Sequence, residues 1–179
     1  MKYKIFKGKY AFCGLFWPIL GLSVVPFIKY GFTGLLGVQI LINALLILLA
    51  FSDIAVRRIP HAYSLSLLVL GILRALYMNV LFKHVLYGVL LFLVTELANR
   101  TLNNLRKKRG TYGGIHTGGG GDTKLYSLAG LLLGYDGMMA IVIACILQIL
   151  WFLPQKRRAR KLFLGPFWSI AVYCFMVLY

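Results

Sequence analysis

The chain has 179 residues, of which 60% are hydrophobic, and its mean hydropathy is +0.82. It contains 20 Lys or Arg residues against 4 Asp or Glu residues, for a formal net charge of +16. This composition excludes an ordinary soluble domain, in which about a quarter of the residues are charged and the two signs nearly balance. A basic surplus can indicate a nucleic-acid partner. We predict none here, because the chain has almost no polar surface on which to build that contact.

Apolar runs of about 20 residues, the length that crosses a bilayer, explain the composition better. The sequence therefore predicts an all-α polytopic membrane protein with about seven transmembrane helices. The fifth apolar run is Gly-rich at its start, so we expect it to begin inside the protein rather than in lipid. In chain order the predicted spans cover approximately residues 10–28, 32–54, 62–81, 85–98, 120–135, 137–153 and 166–179.

The first apolar run has the basic start of a signal peptide. No small-x-small cleavage site follows it, however, and Pro18 and Pro26 interrupt it, so we expect a retained membrane anchor. The longest connection, approximately residues 99–119, is basic and contains several glycines. We expect it to be a cytoplasmic loop.

The basic residues predict an orientation. With the N-terminus in the cytoplasm, 17 of the 20 lie on the cytoplasmic side, only Lys29 and Lys83 lie outside, and Arg74 is left near the middle of the third span. Because Lys and Arg concentrate in cytoplasmic loops, this asymmetry predicts an N-in, C-out topology. The same rule accounts for the basic loops without a binding role; the alternative is that they attract an acidic substrate segment or anionic lipid.

Two of the four acidic residues fall at one membrane depth in this layout. Asp53 lies at the cytoplasmic end of the second span, and Asp122 lies at the cytoplasmic start of the fifth, directly after glycines 118–121. Ionisable groups in spans usually face a protein interior or a water-filled cavity, and glycines let the backbone approach a substrate closely. We therefore predict that the two carboxyls form a pair. The alternative is that each carboxyl only caps a helix end.

Two close carboxyls share one proton, because both cannot readily ionise. Asp122 is expected near a helix N-terminus, where the helix dipole favours the ionised form, whereas Asp53 is expected at a helix C-terminus. We therefore assign Asp122 as the base that activates water and Asp53 as the acid that protonates a leaving amine. This is the chemistry of an aspartic protease.

Three segments carry a resemblance to a known family. Residues 119–125 (GGGDTKL) resemble the GxGDxKL form of the GxGD signature in type IV prepilin peptidases, which are intramembrane aspartic proteases. Residues 53–60 (DIAVRRIP) are similar to the first-aspartate motif of that family, and residues 165–167 (GPF) to its late Gly-Pro-Phe element. The resemblance extends from about residue 40 to the C-terminus.

The resemblance implies roles for individual residues. Asp53 and Asp122 would be catalytic. The catalytic loop would be supported by Gly119, Gly121 and Lys124. Contacts with the substrate or with helix ends would come from Arg57, Arg58, Pro60 and His61. His61 stands where the family usually has Asn, and we expect it to cap the following helix or to donate a hydrogen bond.

The resemblance also implies the reaction and its location. Enzymes of this kind remove the leader peptide of prepilins or pseudopilins at the cytoplasmic face of the cell's inner (cytoplasmic) membrane. We expect residues 32–179 to form the prepilin-peptidase-like core and residues 1–31 to form a basic tail with an extra membrane anchor. The two CxxC pairs of the bifunctional members are missing, so we expect no N-methyltransferase activity. We predict no metal and no cofactor.

Several alternatives stay open at this level. The chain could be another GxGD protease, of the preflagellin-peptidase or signal-peptide-peptidase type, or a non-catalytic membrane scaffold or transporter. Lys124 could tune the two carboxyls or simply extend to the membrane interface. Glu96 matches Arg74 in sign, but their predicted depths differ, so we do not pair them. Asp136 is expected to cap a helix, and the sequence leaves the oligomeric state open.

Overall fold

The computed structural model describes residues 21, 24–31, 33–56, 59–108, 120–152 and 164–178. These residues contain no strand, and a short helical segment at 24–30 precedes six longer helices. The six are α1 (Gly34–Val56), α2 (His61–Tyr77), α3 (Leu81–Lys108), α4 (Gly120–Leu133), α5 (Asp136–Phe152) and α6 (Gly165–Leu178). The prediction of an all-α fold is therefore confirmed for the described part of the chain.

Helix α4 lies at the centre of the bundle. It packs against α2, α3, α5 and α6, whereas α1 packs against α2 and α6. Leu125, Ala129 and Leu132 of α4 are fully buried. This burial agrees with the expectation that the fifth apolar run lies within the protein. It also means that Asp122, in the first turn of α4, begins the central helix.

Glycines let α4 approach its neighbours at backbone distance. A Cβ on Gly130 would lie 2.7 Å from the carbonyl carbon and oxygen of Tyr87 on α3. A Cβ on Gly137, at the start of α5, would lie 2.6 Å from the carbonyl oxygen of Ala129. Small residues at helix crossings are typical of membrane proteins, in which close van der Waals contact drives helix association.

Two helical stretches are long and apolar enough to cross a membrane by length and composition. They are Gly34–Ile54, with a mean hydropathy of 2.4, and Leu81–Leu105, with 1.7. Shorter apolar helices cover His61–Tyr77, Asp136–Trp151 and Gly165–Val177. The arrangement of seven spans with N-in, C-out topology therefore stays a prediction.

The predicted start of the long cytoplasmic loop is wrong. Helix α3 has 28 residues and ends at Lys108, so residues 99–108 belong to a helix and not to the predicted loop. Hydropathy located only the apolar part of this helix. Beyond it the helix continues on polar residues, which stabilise it locally: Arg100 forms an ion pair of 2.9 Å with Glu96 one turn earlier.

The third span is also shorter than predicted, and this changes the position of Arg74. Helix α2 ends at Tyr77, and a turn with Asn79 at φ 56° follows. Arg74 therefore lies in the last turn of α2 and not near the middle of a span. Glu96 pairs with Arg100, which confirms that it should not be paired with Arg74.

Arg74 and His84 cap the end of α4. Arg74 is 3% exposed, and its Nη1 donates a hydrogen bond to the carbonyl of Leu132. Nδ1 of His84, on α3, lies 2.9 Å from the carbonyl oxygen of Leu131. The last carbonyls of a helix have no partner within it, and lipid supplies none. The buried arginine is therefore explained by helix capping.

Candidate active site

Four helix ends meet at one end of the bundle. Asp53 lies near the end of α1, and its Oδ2 accepts a hydrogen bond of 2.8 Å from the backbone amide of Gly165, the first residue of α6. His61 begins α2, and its Nδ1 lies 2.7 Å from Nζ of Lys124, near the start of α4. These two contacts tie the end of α1 to α6 and the start of α2 to α4.

Asp53 is enclosed by the N-terminus of α6. The residue is 7% exposed. A Cβ on Gly165 would lie 2.8 Å from both Cβ and Oδ2 of Asp53, so the contact requires glycine. The first amides of a helix are free to bind an anion, and the positive end of the helix dipole stabilises negative charge there. Asp53 therefore contacts a helix N-terminus, although it lies at the C-terminal end of its own helix.

Sequence reasoning did not anticipate this role for Gly165. The Gly-Pro-Phe element was recognised, but only as part of a resemblance. The physical signal was available in part, because Pro166 occupies the second position of α6. Proline is well tolerated in the first turn of a helix. A Gly-Pro pair before an apolar run therefore predicts a helix start, but not which side chain that start contacts.

Asp122 lies in the first turn of α4 and is partly buried. The expectation of a helix beginning at the glycine run is thereby confirmed. The adjacent Thr123 is 2% exposed, and its Oγ1 accepts a hydrogen bond of 2.9 Å from Nδ2 of Asn99 on α3. This bond fixes the first turn of α4 against α3. Asn99 was not predicted as a site residue, because it fell in the segment expected to be a loop.

Lys124 and His61 are brought together, which neither residue's sequence context predicted. Lys124 is half-buried and His61 is exposed. Pro60, with φ −61° and ψ 134°, precedes α2 as its N-cap residue, and no side chain caps this helix start. The cap expected from His61 is therefore not observed. The alternative expectation, that His61 donates a hydrogen bond, is wrong in direction, because the Lys124 ammonium has no acceptor and must be the donor in their contact.

The remaining predicted site residues are placed as follows. Gly121 lies in the first turn of α4. Arg57, Arg58 and Gly119 lie outside the described residues. Asp136 begins α5, away from this end of the bundle.

Residues 40–153 match the type IV leader peptidase family, and the chain belongs to that family. Family membership implies a peptidase of the leader-peptidase type, acting on a prepilin-like peptide. The matched segment contains Asp53 and Asp122 and ends before Gly165. No curated protein and no solved structure matches the chain.

Proposed function

We propose that the chain is a membrane aspartic endopeptidase that removes the leader peptide of prepilin or pseudopilin-like substrates through Asp53 and Asp122. The observation that carries the proposal is the buried Asp53 carboxyl, bonded to the Gly165 amide, at the end of the bundle where the Asp122 helix begins. Membership of the leader peptidase family supports the substrate class.

The proposed reaction needs one carboxylate and one carboxylic acid. The Asp122 carboxylate takes a proton from a water molecule, whose oxygen attacks the carbonyl carbon of the scissile peptide bond. Asp53 then gives its proton to the leaving nitrogen as the C–N bond breaks. The Gly165 amide occupies Oδ2 of Asp53, which leaves Oδ1 to hold the proton. The two aspartates exchange these protonation states during the reaction, so the pair titrates as a unit.

We place this reaction at the cytoplasmic face of the cytoplasmic membrane. Support comes from the charge asymmetry, which assigns 17 of the 20 basic residues to that side in an N-in, C-out layout. In this layout Asp53 ends a span and Asp122 begins one on the same side. The substrate's apolar helix would enter laterally from the bilayer, and its leader end would unwind at the membrane boundary.

Coexpression with a prepilin-like substrate tests the proposal. Asp53→Asn and Asp122→Asn keep the side-chain shape and remove the acid, so each variant is expected to abolish leader removal while membrane insertion stays normal. Asp136→Asn and Glu96→Gln are the matched controls, since these residues lie in α5 and in an ion pair on α3. Normal processing by either aspartate variant would eliminate the two-aspartate mechanism, whereas no processing by the unmodified chain would favour a scaffold or transporter.

The acid and base assignments need a separate measurement. Infrared difference spectra across pH resolve carboxyl and carboxylate bands, and each Asp→Asn variant identifies one of them. We expect Asp122 to ionise at lower pH than Asp53, because Asp122 is only partly buried whereas Asp53 is 7% exposed. The hydrogen bond from Gly165 to Asp53 opposes this order without reversing it. The opposite order would exchange the two roles without affecting the proposed activity.

A further inference from the structure

We propose that His61 is a positioning residue, which as a neutral imidazole holds Lys124 and so joins the start of α2 to the start of α4. Protonation of the ring breaks this contact. The proposal rests on the proposed function, because the parts that it positions are the helices carrying Asp53 and Asp122. The 2.7 Å contact between Lys124 Nζ and His61 Nδ1 is the observation behind it.

The chemistry of the two groups fixes the direction of the hydrogen bond. A lysine ammonium has three donors and no acceptor, so His61 Nδ1 must accept and the ring proton must sit on Nε2. The bond has a charged donor, which makes it stronger than one between neutral groups. The contact therefore requires a neutral His61 ring with its proton on Nε2.

The contact acts on helix positions rather than on Asp122 directly. Lys124 follows Asp122 by two positions, which is a rotation of about 200° around the helix, so the two side chains point to different sides of α4. Only residues 57–60 separate α1 from His61. Tying His61 to α4 thus restrains the end of α1, where Asp53 lies, relative to the first turn that carries Asp122.

Protonation of the His61 ring removes this restraint. Protonated imidazole has no acceptor, and its charge repels the ammonium beside it. Asp122 on α4, Asp53 on α1 and the mutually paired Glu96 and Arg100 on α3 are charged groups toward this end of the bundle. Helix α3 carries three more cations in its last turn, Arg106, Lys107 and Lys108, whereas Arg74 and Lys83 lie toward the opposite end. Arg57 and Arg58, in the connection before α2, lie outside the described residues.

A spectroscopic test needs no substrate. In the full chain, reconstituted in lipid vesicles with ¹⁵N-labelled histidine, His61→Asn assigns the ring resonances of His61. In the neutral ring we expect the proton on Nε2 and an Nδ1 resonance that shifts when Lys124 is changed to Met. A neutral ring with its proton on Nδ1, or a resonance that Lys124→Met leaves in place, overturns the proposal.

An activity test uses the pH profile of leader removal. Asn supplies an uncharged acceptor that does not titrate, so His61→Asn is expected to process substrate at pH 7.5 within about twofold of the unmodified chain. The ratio of its rate to that of the unmodified chain should rise across the pH range in which the ring resonances show protonation of His61. His61→Lys, which carries a permanent positive charge, should lower processing about tenfold throughout that range, since a hydrogen bond to a charged group is lost.

The matched control is His84→Asn, which removes an imidazole at the opposite end of the bundle and keeps a donor for the Leu131 carbonyl. Its pH profile should parallel that of the unmodified chain. A pH-independent ratio for His61→Asn, or full activity of His61→Lys, overturns the proposal. If the unmodified chain cleaves no prepilin-like substrate, the proposed function fails, and the nitrogen resonances alone decide whether the contact exists.

Discussion

The carboxyl of Asp53 accepts a hydrogen bond of 2.8 Å from the backbone amide of Gly165, which lies 112 residues further along the chain. A side chain at the end of α1 is thereby held by the first residue of α6. The contact brings an acidic residue at a helix C-terminus, where its charge is disfavoured, to a helix N-terminus, where its charge is stabilised. It also connects a motif outside the family-matched segment to a carboxyl inside it.

Gly165→Ala should impair catalysis through Asp53. The added Cβ would lie 2.8 Å from Cβ and Oδ2 of Asp53, so the carboxyl or the start of α6 must shift. We expect leader processing to fall by about a hundredfold, the cost of displacing a reacting group by about 1 Å. Rates measured with purified protein and a prepilin-like substrate check this.

The control for that variant is Gly37→Ala, on α1. A Cβ at Gly37 meets no atom within 4 Å, and alanine is favoured over glycine inside a helix by about 0.5–1 kcal/mol. This variant should keep full activity and be slightly more stable. Equal activity in Gly165→Ala and Gly37→Ala would show that the Asp53 contact has no catalytic importance.

Gly130→Ala should destabilise the bundle without touching the carboxyls. Its Cβ would lie 2.7 Å from the backbone of Tyr87, and backbone cannot rotate away as a side chain can. Separating α3 from α4 should lower the free energy of unfolding by about 1–3 kcal/mol. Thermal unfolding followed by helical circular dichroism measures the loss. An unfolding temperature equal to that of Gly37→Ala would contradict the close α3–α4 crossing.

Arg74→Met should reduce stability because it uncaps α4. The carbonyl of Leu132 would lose its donor, and leaving a buried acceptor without a partner costs about 1–3 kcal/mol. Arg74→Lys should recover part of this loss by supplying one donor. Lys83→Met, which removes an exposed cation from α3, serves as the control. If Arg74→Met unfolds at the same temperature as Lys83→Met, the capping explanation is wrong.

The proposed N-in, C-out topology predicts which residues a membrane-impermeant thiol reagent reaches. With Cys13, Cys145 and Cys174 replaced by serine, Tyr135→Cys in the α4–α5 turn should react in intact cells. Asn104→Cys, near the end of α3, should react only after the membrane is permeabilised. Both positions are exposed, so the difference reports sidedness. The reverse pattern would put the aspartates on the outer face.

Sequence reasoning located the helices well where apolar residues defined them. The second predicted span, approximately 32–54, compares with Gly34–Val56 for α1, and the sixth, approximately 137–153, with Asp136–Phe152 for α5. It mispredicted a helix end where the helix extends beyond its apolar residues. Helix α3 continues to Lys108, beyond the apolar residues that defined the predicted span, since hydropathy measures the preference for lipid rather than the backbone conformation.

At the candidate site, sequence reasoning likewise selected the two aspartates but not the residues that contact the site. Asp53 and Asp122 were selected because acids are scarce in this chain and because both fall at helix ends, and both lie at helix ends in the structure. Their partners were not foreseen. His61 was considered as a substrate contact, a helix cap or a hydrogen-bond donor, and its partner Lys124, which donates to it, lies 63 residues away.

Composition and pattern alone therefore determined that this protein is built from apolar helices, approximately where most of them begin and end, and which acids stand out. These are properties of short stretches of chain, set by hydropathy and by the preferences of Gly and Pro. Only the tertiary structure decided that Gly165 holds Asp53, that His61 meets Lys124 and that Arg74 caps α4. Those contacts join residues between 58 and 112 positions apart, and they exist only because helix packing brings those helix ends together.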